Sequence, residues 1–309
     1  MKRGFEIRGR RGRGWLGRTA LAALAGLALG ASTLAQTPEK PYRETADRLP
    51  EAQREALIAA PMALVRQGEL DRGQQVFERQ MSDVRRTAGA DSLEAADLLS
   101  AFGVALYVED HRRAAVDYMR RALEIYRVVF GPRHAEVALA LTDYAKVRDG
   151  AEPVAGDPGV VADLEEAYRM RLDLLGAGDA ETVMSLAYLG EAKGKPARTG
   201  RDPARIAEAV ALLRRAYDGL DATPNKQACD RPAVRLKMAE LYALNGMAAT
   251  AWEHFEAYER EACSTDDEDA QAHIRRGASF LRDDFLAVGL KDQADLIVAR
   301  YLAKPPAKP

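Results

Sequence analysis

A short pattern of glycine, polar residue and acid recurs along the chain at nearly constant spacing. It occupies residues 89–94, 131–136 and 176–181, and its glycines lie 42 and 45 residues apart. A glycine of this kind ends a helix by adopting a left-handed backbone conformation. The polar residue three positions later can cap the next helix, and an acid follows near the positive helix end; these polar residues are Ser92, His134 and Asp179. The spacing therefore predicts an array of helical repeats.

The segments that precede these glycines have the pattern of amphipathic helices. In residues 111–130, apolar side chains recur at helical spacing, and residues 160–175 show the same periodicity. Such a pattern indicates a helix that buries one stripe of its surface. Aromatic residues make up only 6% of the chain, and the apolar stretches are rich in Ala and Leu, which favours close-packed helices over sheets.

The order of large and small apolar residues resembles the tetratricopeptide repeat (TPR). A large residue is followed by a small one in the first helix, and a small residue lies in the second helix where the two cross. This signature is carried by Leu99, Phe102-Gly103, Leu106, Ala115, Met119 and Ala122, and again by Met238-Ala239, Tyr242, Gly246, Ala251 and Phe255. The repeat of about 42 residues is longer than the usual ~34 and is similar to that of the kinesin light chain class.

The resemblance implies an all-α fold, a right-handed superhelical solenoid of about six antiparallel helix pairs. We expect these pairs at residues 51–89, 92–131, 134–176, 179–221, 228–263 and 270–304. Pro61 lies inside the first predicted helix, where an interior proline should kink or break it. Residues 149–159 and 194–203 are rich in Gly and Pro and are predicted to be surface loops between paired helices.

The N-terminus has the three parts of a secretory signal. Seven basic residues within positions 1–18 precede an Ala-, Leu- and Gly-rich run, and Thr33-Leu34-Ala35 offers a cleavage site before Gln36. We therefore predict a signal peptide at 1–35, a linker at 36–50, a repeat domain at 51–304 and a tail at 305–309. The expected location is periplasmic or secreted, with no membrane insertion after cleavage. An uncleaved membrane anchor is the alternative, although the apolar run is short for a span.

Charge limits the class of partner. Without residues 1–35 the chain keeps 38 basic and 46 acidic residues, a net charge of −8. Nucleic-acid binding requires a basic footprint, whereas the basic residues here are spread along the helices. The sequence therefore favours a protein or peptide partner over nucleic acid.

No motif in the sequence predicts catalysis, a cofactor or a metal site. The four histidines show no zinc-ligand spacing, and no nucleophile elbow or phosphate loop is present. His134 occupies a repeat junction, where capping accounts for it. The alternative function is an enzyme, or an accessory subunit of one, with its site in the insertions at 149–159 and 194–203.

The TPR resemblance also implies which residues face a partner. First helices line the concave groove in this family, and a stack of helix pairs offers a continuous surface of that kind. The corresponding positions here are Tyr107, Thr142, Lys146, Glu191 and Glu240. A groove of mixed charge with one aromatic ring suits a peptide or protein segment.

Two cysteines occur in the chain, Cys229 and Cys263. The first precedes the first helix of the fifth predicted pair, and the second ends its second helix. Antiparallel packing brings these two helix ends together, and an exported chain can keep a disulfide. We therefore predict that they pair, with two separately buried thiols as the alternative.

Overall fold

A computed structural model describes residues 48–151, 157–195, 202–223, 230–261 and 267–303, with the side chains of 267–270 excluded. All regular secondary structure in these ranges is helical, and it forms the six expected helix pairs. The helices are α1 (Glu51–Arg66), α2 (Leu70–Ala88), α3 (Leu93–Val108), α4 (Arg112–Phe130), α5 (Ala135–Ala151), α6 (Pro158–Leu175), α7 (Ala180–Gly194), α8 (Pro203–Ala222), α9 (Asp230–Leu244), α10 (Ala248–Arg260), α11 (Asp267–Ala287) and α12 (Lys291–Ile297), the last continued by a π-helical turn, Val298–Leu302.

The predicted junctions between pairs are present. Gly89, Gly131 and Gly176 all have positive φ, at 107°, 82° and 84°. Each is followed by a side-chain cap: the Ser92 hydroxyl accepts a hydrogen bond from the Ala95 amide at 3.2 Å. The His134 Nδ1 and Asp179 Oδ1 atoms accept from the backbone amides two residues ahead, at 3.2 and 2.9 Å. These bonds satisfy amides that the first turn of a helix leaves without a partner.

The turns inside four of the pairs share a second motif. In each, the last turn of the first helix closes with two backbone hydrogen bonds, as at Gly68, where the amide of Glu69 donates to Leu64 O at 2.9 Å. This Schellman arrangement needs a left-handed residue. Gly246 and Gly289 supply it in two other pairs, while Asp110, at φ 69°, supplies it between α3 and α4.

The chain divides into two compact units, residues 1–132 and 133–309. In the described part of unit 1, α1–α4 enclose an aromatic core. The rings of Phe77 and Phe102 stack at 3.9 Å, and Tyr118 meets both edge-on. A Cβ on Gly103 would lie 3.0 Å from Met119 Cγ. This close approach explains the small residue of the repeat signature.

Unit 2 contains α5–α12. One buried cluster includes Val160 and Leu164 of α6. A second, larger cluster includes Leu213 of α8 together with Phe255 and Phe285 of the last two pairs. Gly190 of α7 repeats the role of Gly103, because a Cβ there would lie 3.0 Å from the Ala209 carbonyl oxygen.

Pro61 does not interrupt α1, so the expectation of a broken helix is wrong. The helix runs through Pro61, which is buried. Gly73 of α2 approaches so closely that a Cβ there would lie 2.8 Å from the Pro61 oxygen and 2.7 Å from Val65 Cγ2. Tertiary packing of this kind outweighs the local cost of a proline, since most helix stability in proteins comes from packing.

Candidate partner-binding face

Three of the five predicted groove residues are buried. Tyr107 of unit 1 is 4% exposed, and the Arg112 guanidinium lies 5.9 Å from its ring centroid. In unit 2, Thr142 and Glu240 are each 2% exposed. These side chains therefore support the surface of the first helices rather than form it, and their predicted contact with a partner stays a prediction.

Thr142 belongs to a buried polar cluster centred on Arg171. The Arg171 Nη1 atom of α6 donates to Thr142 Oγ1 at 3.0 Å and to Ser185 Oγ at 2.7 Å. Its Nη2 lies 3.6 Å from the Glu181 carboxylate. The two hydroxyls donate in turn to carbonyl oxygens of their own helices. One guanidinium thus joins α5, α6 and α7 through hydrogen bonds.

Asp143 lies beside this cluster and is 5% exposed. Burial raises the pKa of its carboxyl to about 7, and the nearby Lys146 and Arg171 lower that pKa only in part. Glu181 and Glu136 act in the same direction as burial. A carboxyl in this environment gains and loses its proton near neutral pH.

Lys146 and Glu191 are partly exposed on their first helices, and each contacts the next first helix. The Lys146 Nζ atom is 4.1 Å from the Tyr188 ring centroid on α7. Glu191 Oε1 lies 2.9 Å from Lys237 Nζ on α9. Lys237 also lies 3.5 Å from Glu240 Oε1 and 5.9 Å from the Phe280 ring on α11.

These contacts join four helices into one surface of unit 2. We call it the first-helix face and define it by Lys146, Tyr188, Glu191, Lys237 and Phe280. A second ion pair lies at one margin, where Lys195 Nζ is 2.8 Å from Asp149 Oδ1. Burial raises the pKa of Asp149, while Lys195 lowers it. The face thus combines half-buried aromatic rings with amines that already contact groups of the same chain.

Sequence reasoning missed Asp143, Tyr188, Lys237 and Phe280. A signal for the first three was present: each comes directly before the large–small pair of its helix, as Tyr188 precedes Leu189-Gly190. Three of the predicted groove residues, Lys146, Glu191 and Glu240, directly follow these pairs. Of these positions, Tyr188, Lys237, Lys146 and Glu191 are partly exposed, whereas Asp143 and Glu240 are buried.

The remaining sequence predictions fall mostly outside the described residues. This applies to the predicted signal segment, to Cys229 and Cys263, and to most of both insertions. Arg235 Nε of α9 donates a hydrogen bond to Glu261 Oε1, at the end of α10, at 2.8 Å. The first turns of α9 therefore lie close to the end of α10. Among the described residues, no group of three metal-ligating side chains is close enough to hold an ion. No described helix combines the length and hydropathy needed to cross a membrane.

Comparison with known proteins supports the fold. Similar solved structures include crystal structures of nearly identical kinesin light chain TPR-like repeats from Podosopora anserina. One is 15% identical, with a TM-score of 0.49, over 67% of this chain and 93% of that chain. A second, of a variant in which a methionine replaces a glutamine, is 16% identical, with a TM-score of 0.50, over 72% and 96%.

At 16% identity, the second structure establishes the fold class and nothing beyond the fold class. The chain has a TPR-like helical-repeat fold, and the resemblance drawn from its sequence is confirmed at that level. No protein-family model matches the chain, and no curated protein matches it.

Proposed function

We propose that the protein is a non-catalytic scaffold that binds a protein or peptide segment on the first-helix face. The observation that carries the proposal is the continuity of this face across α5, α7, α9 and α11 through Lys146, Tyr188, Glu191, Lys237 and Phe280. Partly exposed rings between charged groups are typical of surfaces that bind extended segments, since rings supply contact area and charges supply register.

The charges of the face favour a polypeptide over a polyanion. Lys237 pairs with two carboxylates, and Lys195 at the margin pairs with a third. A nucleic acid would require a cationic stripe and would have to displace these pairs. A polypeptide can exchange them for its own polar groups one at a time.

We also propose that the scaffold acts outside the cytoplasm after removal of residues 1–35. The basic segment, the apolar run and the cleavage site support this proposal. Amino-terminal sequencing of the chain from its native source should find Gln36 first; an intact N-terminus in the membrane fraction would instead favour a tether.

Intact-mass analysis tests the predicted disulfide. The measured mass should increase by two hydrogens on reduction if Cys229 and Cys263 pair.

Affinity capture with the mature chain tests the binding site. The wild type should retain a partner that is lost with Lys146→Glu and with Glu191→Lys. Two control variants carry the same charge changes elsewhere in unit 2: Arg215→Glu on α8 and Glu253→Lys on α10, both at exposed positions. A partner lost equally with the controls, or retained by all four variants, would remove the first-helix face as the site.

A further inference from the structure

Asp143 is a buried carboxylate whose need for positive charge is not met by the surrounding residues. Within the described part of the chain, its oxygens receive no side-chain hydrogen bond and no ion pair. The charged groups that face it are Lys146 and Glu136 on its own helix, Arg171 on α6 and Glu181 on α7. Buried acids of this type ordinarily have hydrogen-bond donors.

The two nearby cations are directed to other groups. The Arg171 guanidinium donates to Thr142 and Ser185 and lies 3.6 Å from Glu181. The Lys146 amine lies over the Tyr188 ring. Both act on Asp143 only through space, so the carboxylate retains its full capacity to accept hydrogen bonds.

The position of Asp143 places it on the side of α5 that continues the first-helix face. It comes directly before Tyr144-Ala145, as Tyr188 comes before Leu189-Gly190 and Lys237 before Met238-Ala239. Tyr188 and Lys237 form the face through their contacts with neighbouring helices. Glu181, whose side chain is 44% exposed, adds a second, accessible carboxylate near the same cluster.

We propose that the bound segment places a basic side chain, lysine or arginine, against Asp143 and Glu181. The proposal rests on the binding function proposed above and specifies the chemistry of the partner. A cation supplies both the charge and the donors that Asp143 lacks, and at a desolvated site the pairing is stronger than at an open surface. An acidic side chain would instead meet two carboxylates, and it would have to draw Lys146 away from its ring.

A dependence on pH follows from the same arrangement. Burial, together with Glu181 and Glu136, keeps the pKa of Asp143 at about 7 despite Lys146 and Arg171. A bound cation favours the ionised carboxylate and lowers this pKa. Binding therefore releases a proton, and affinity falls as the pH falls through 7. For one fully coupled proton, the affinity at pH 8 exceeds that at pH 6 about tenfold.

A random library of peptides of about 12 residues, a length that spans several helices in extended form, provides the probe. It is selected on the full chain at about pH 8 and counter-selected on Glu191→Lys, which alters the first-helix face and adds positive charge to it. The recovered peptides should share a lysine or arginine, and replacing that residue by glutamine should weaken binding at least tenfold. Wild-type affinity should fall about tenfold from pH 8 to pH 6.

Asp143→Asn should bind more weakly than the wild type and show no such pH dependence. Asp173→Asn is the matched control, because it removes an exposed acid of α6 that pairs with Arg133. The glutamine substitution in the peptide requires no change in the protein, so the test survives if Asp143→Asn fails to fold. Peptides that bind the wild type but not Glu191→Lys, and that lack a common basic residue, would overturn this inference and leave the proposed function standing. Recovery of no peptide that depends on the face would overturn the proposed function itself.

Discussion

The Asp143→Asn substitution should stabilise the protein, and the gain should grow with pH. The folded protein raises the pKa of this carboxyl from 3.8 to about 7, chiefly through burial. A group whose pKa is raised by folding contributes its stability below the unfolded pKa and loses that contribution as the pH rises through the folded pKa. Asparagine has a similar shape and carries no charge, so it avoids this loss.

The magnitude follows from the size of the pKa shift. Each pKa unit corresponds to about 1.4 kcal/mol, so a shift from 3.8 to about 7 costs the wild type about 4 kcal/mol at pH values above 7. Near pH 4.5 the carboxyl is protonated in the folded chain and mostly ionised in the unfolded chain. The advantage of asparagine there falls to about 1 kcal/mol.

Urea unfolding of both proteins at pH 4.5 and pH 7.5 measures this difference as a shift in midpoint at constant slope. Asp117→Asn on α4 serves as the control, because its side chain is 55% exposed and pairs with Arg120 on the same helix. An exposed pair of this kind contributes at most ~1 kcal/mol. Equal gains for Asp143→Asn at both pH values, or a loss at pH 7.5, would refute the assignment of Asp143 as a desolvated acid.

Three further substitutions test a turn, the packing between α7 and α8, and the buried polar cluster around Arg171. Asp110→Gly should raise the free energy of unfolding by about 0.5 kcal/mol, because glycine adopts positive φ without steric cost; a lower urea midpoint would contradict this. Gly190→Val should cost about 1–3 kcal/mol by overpacking against the Ala209 carbonyl, and an unchanged melting temperature would show that α7 and α8 can separate. Arg171→Met should destabilise by a few kcal/mol at pH 8 and less at pH 5, where Asp143 is protonated; a loss independent of pH would exclude the coupling.

The helix pairs could be predicted from the sequence because their signals are local. Gly131 ends one helix, His134 caps the next, and both act within a few residues along the chain. The spacing of apolar residues likewise predicts which stripe of each helix is buried, and this signal is also local. The fold class therefore required no knowledge of contacts between distant residues.

The details of the candidate site could not be predicted to the same extent, because they depend on contacts between helices. Arg171 lies 29 residues from Thr142 and 14 from Ser185, and no periodicity in one helix shows that their side chains meet. Pro61 was misjudged for a related reason: the packing of α2 against α1 outweighs a local preference.

The three described junctions between pairs satisfy their own polar groups, and this has an evolutionary consequence. After α2, α4 and α6, a glycine and a cap residue, such as Gly176 and Asp179, complete the helix ends with atoms from the same short segment. A gene duplication or deletion that begins and ends at such junctions would leave every helix terminus intact. The number of pairs can therefore change between related chains while only the apolar surfaces at the new boundary need to adapt.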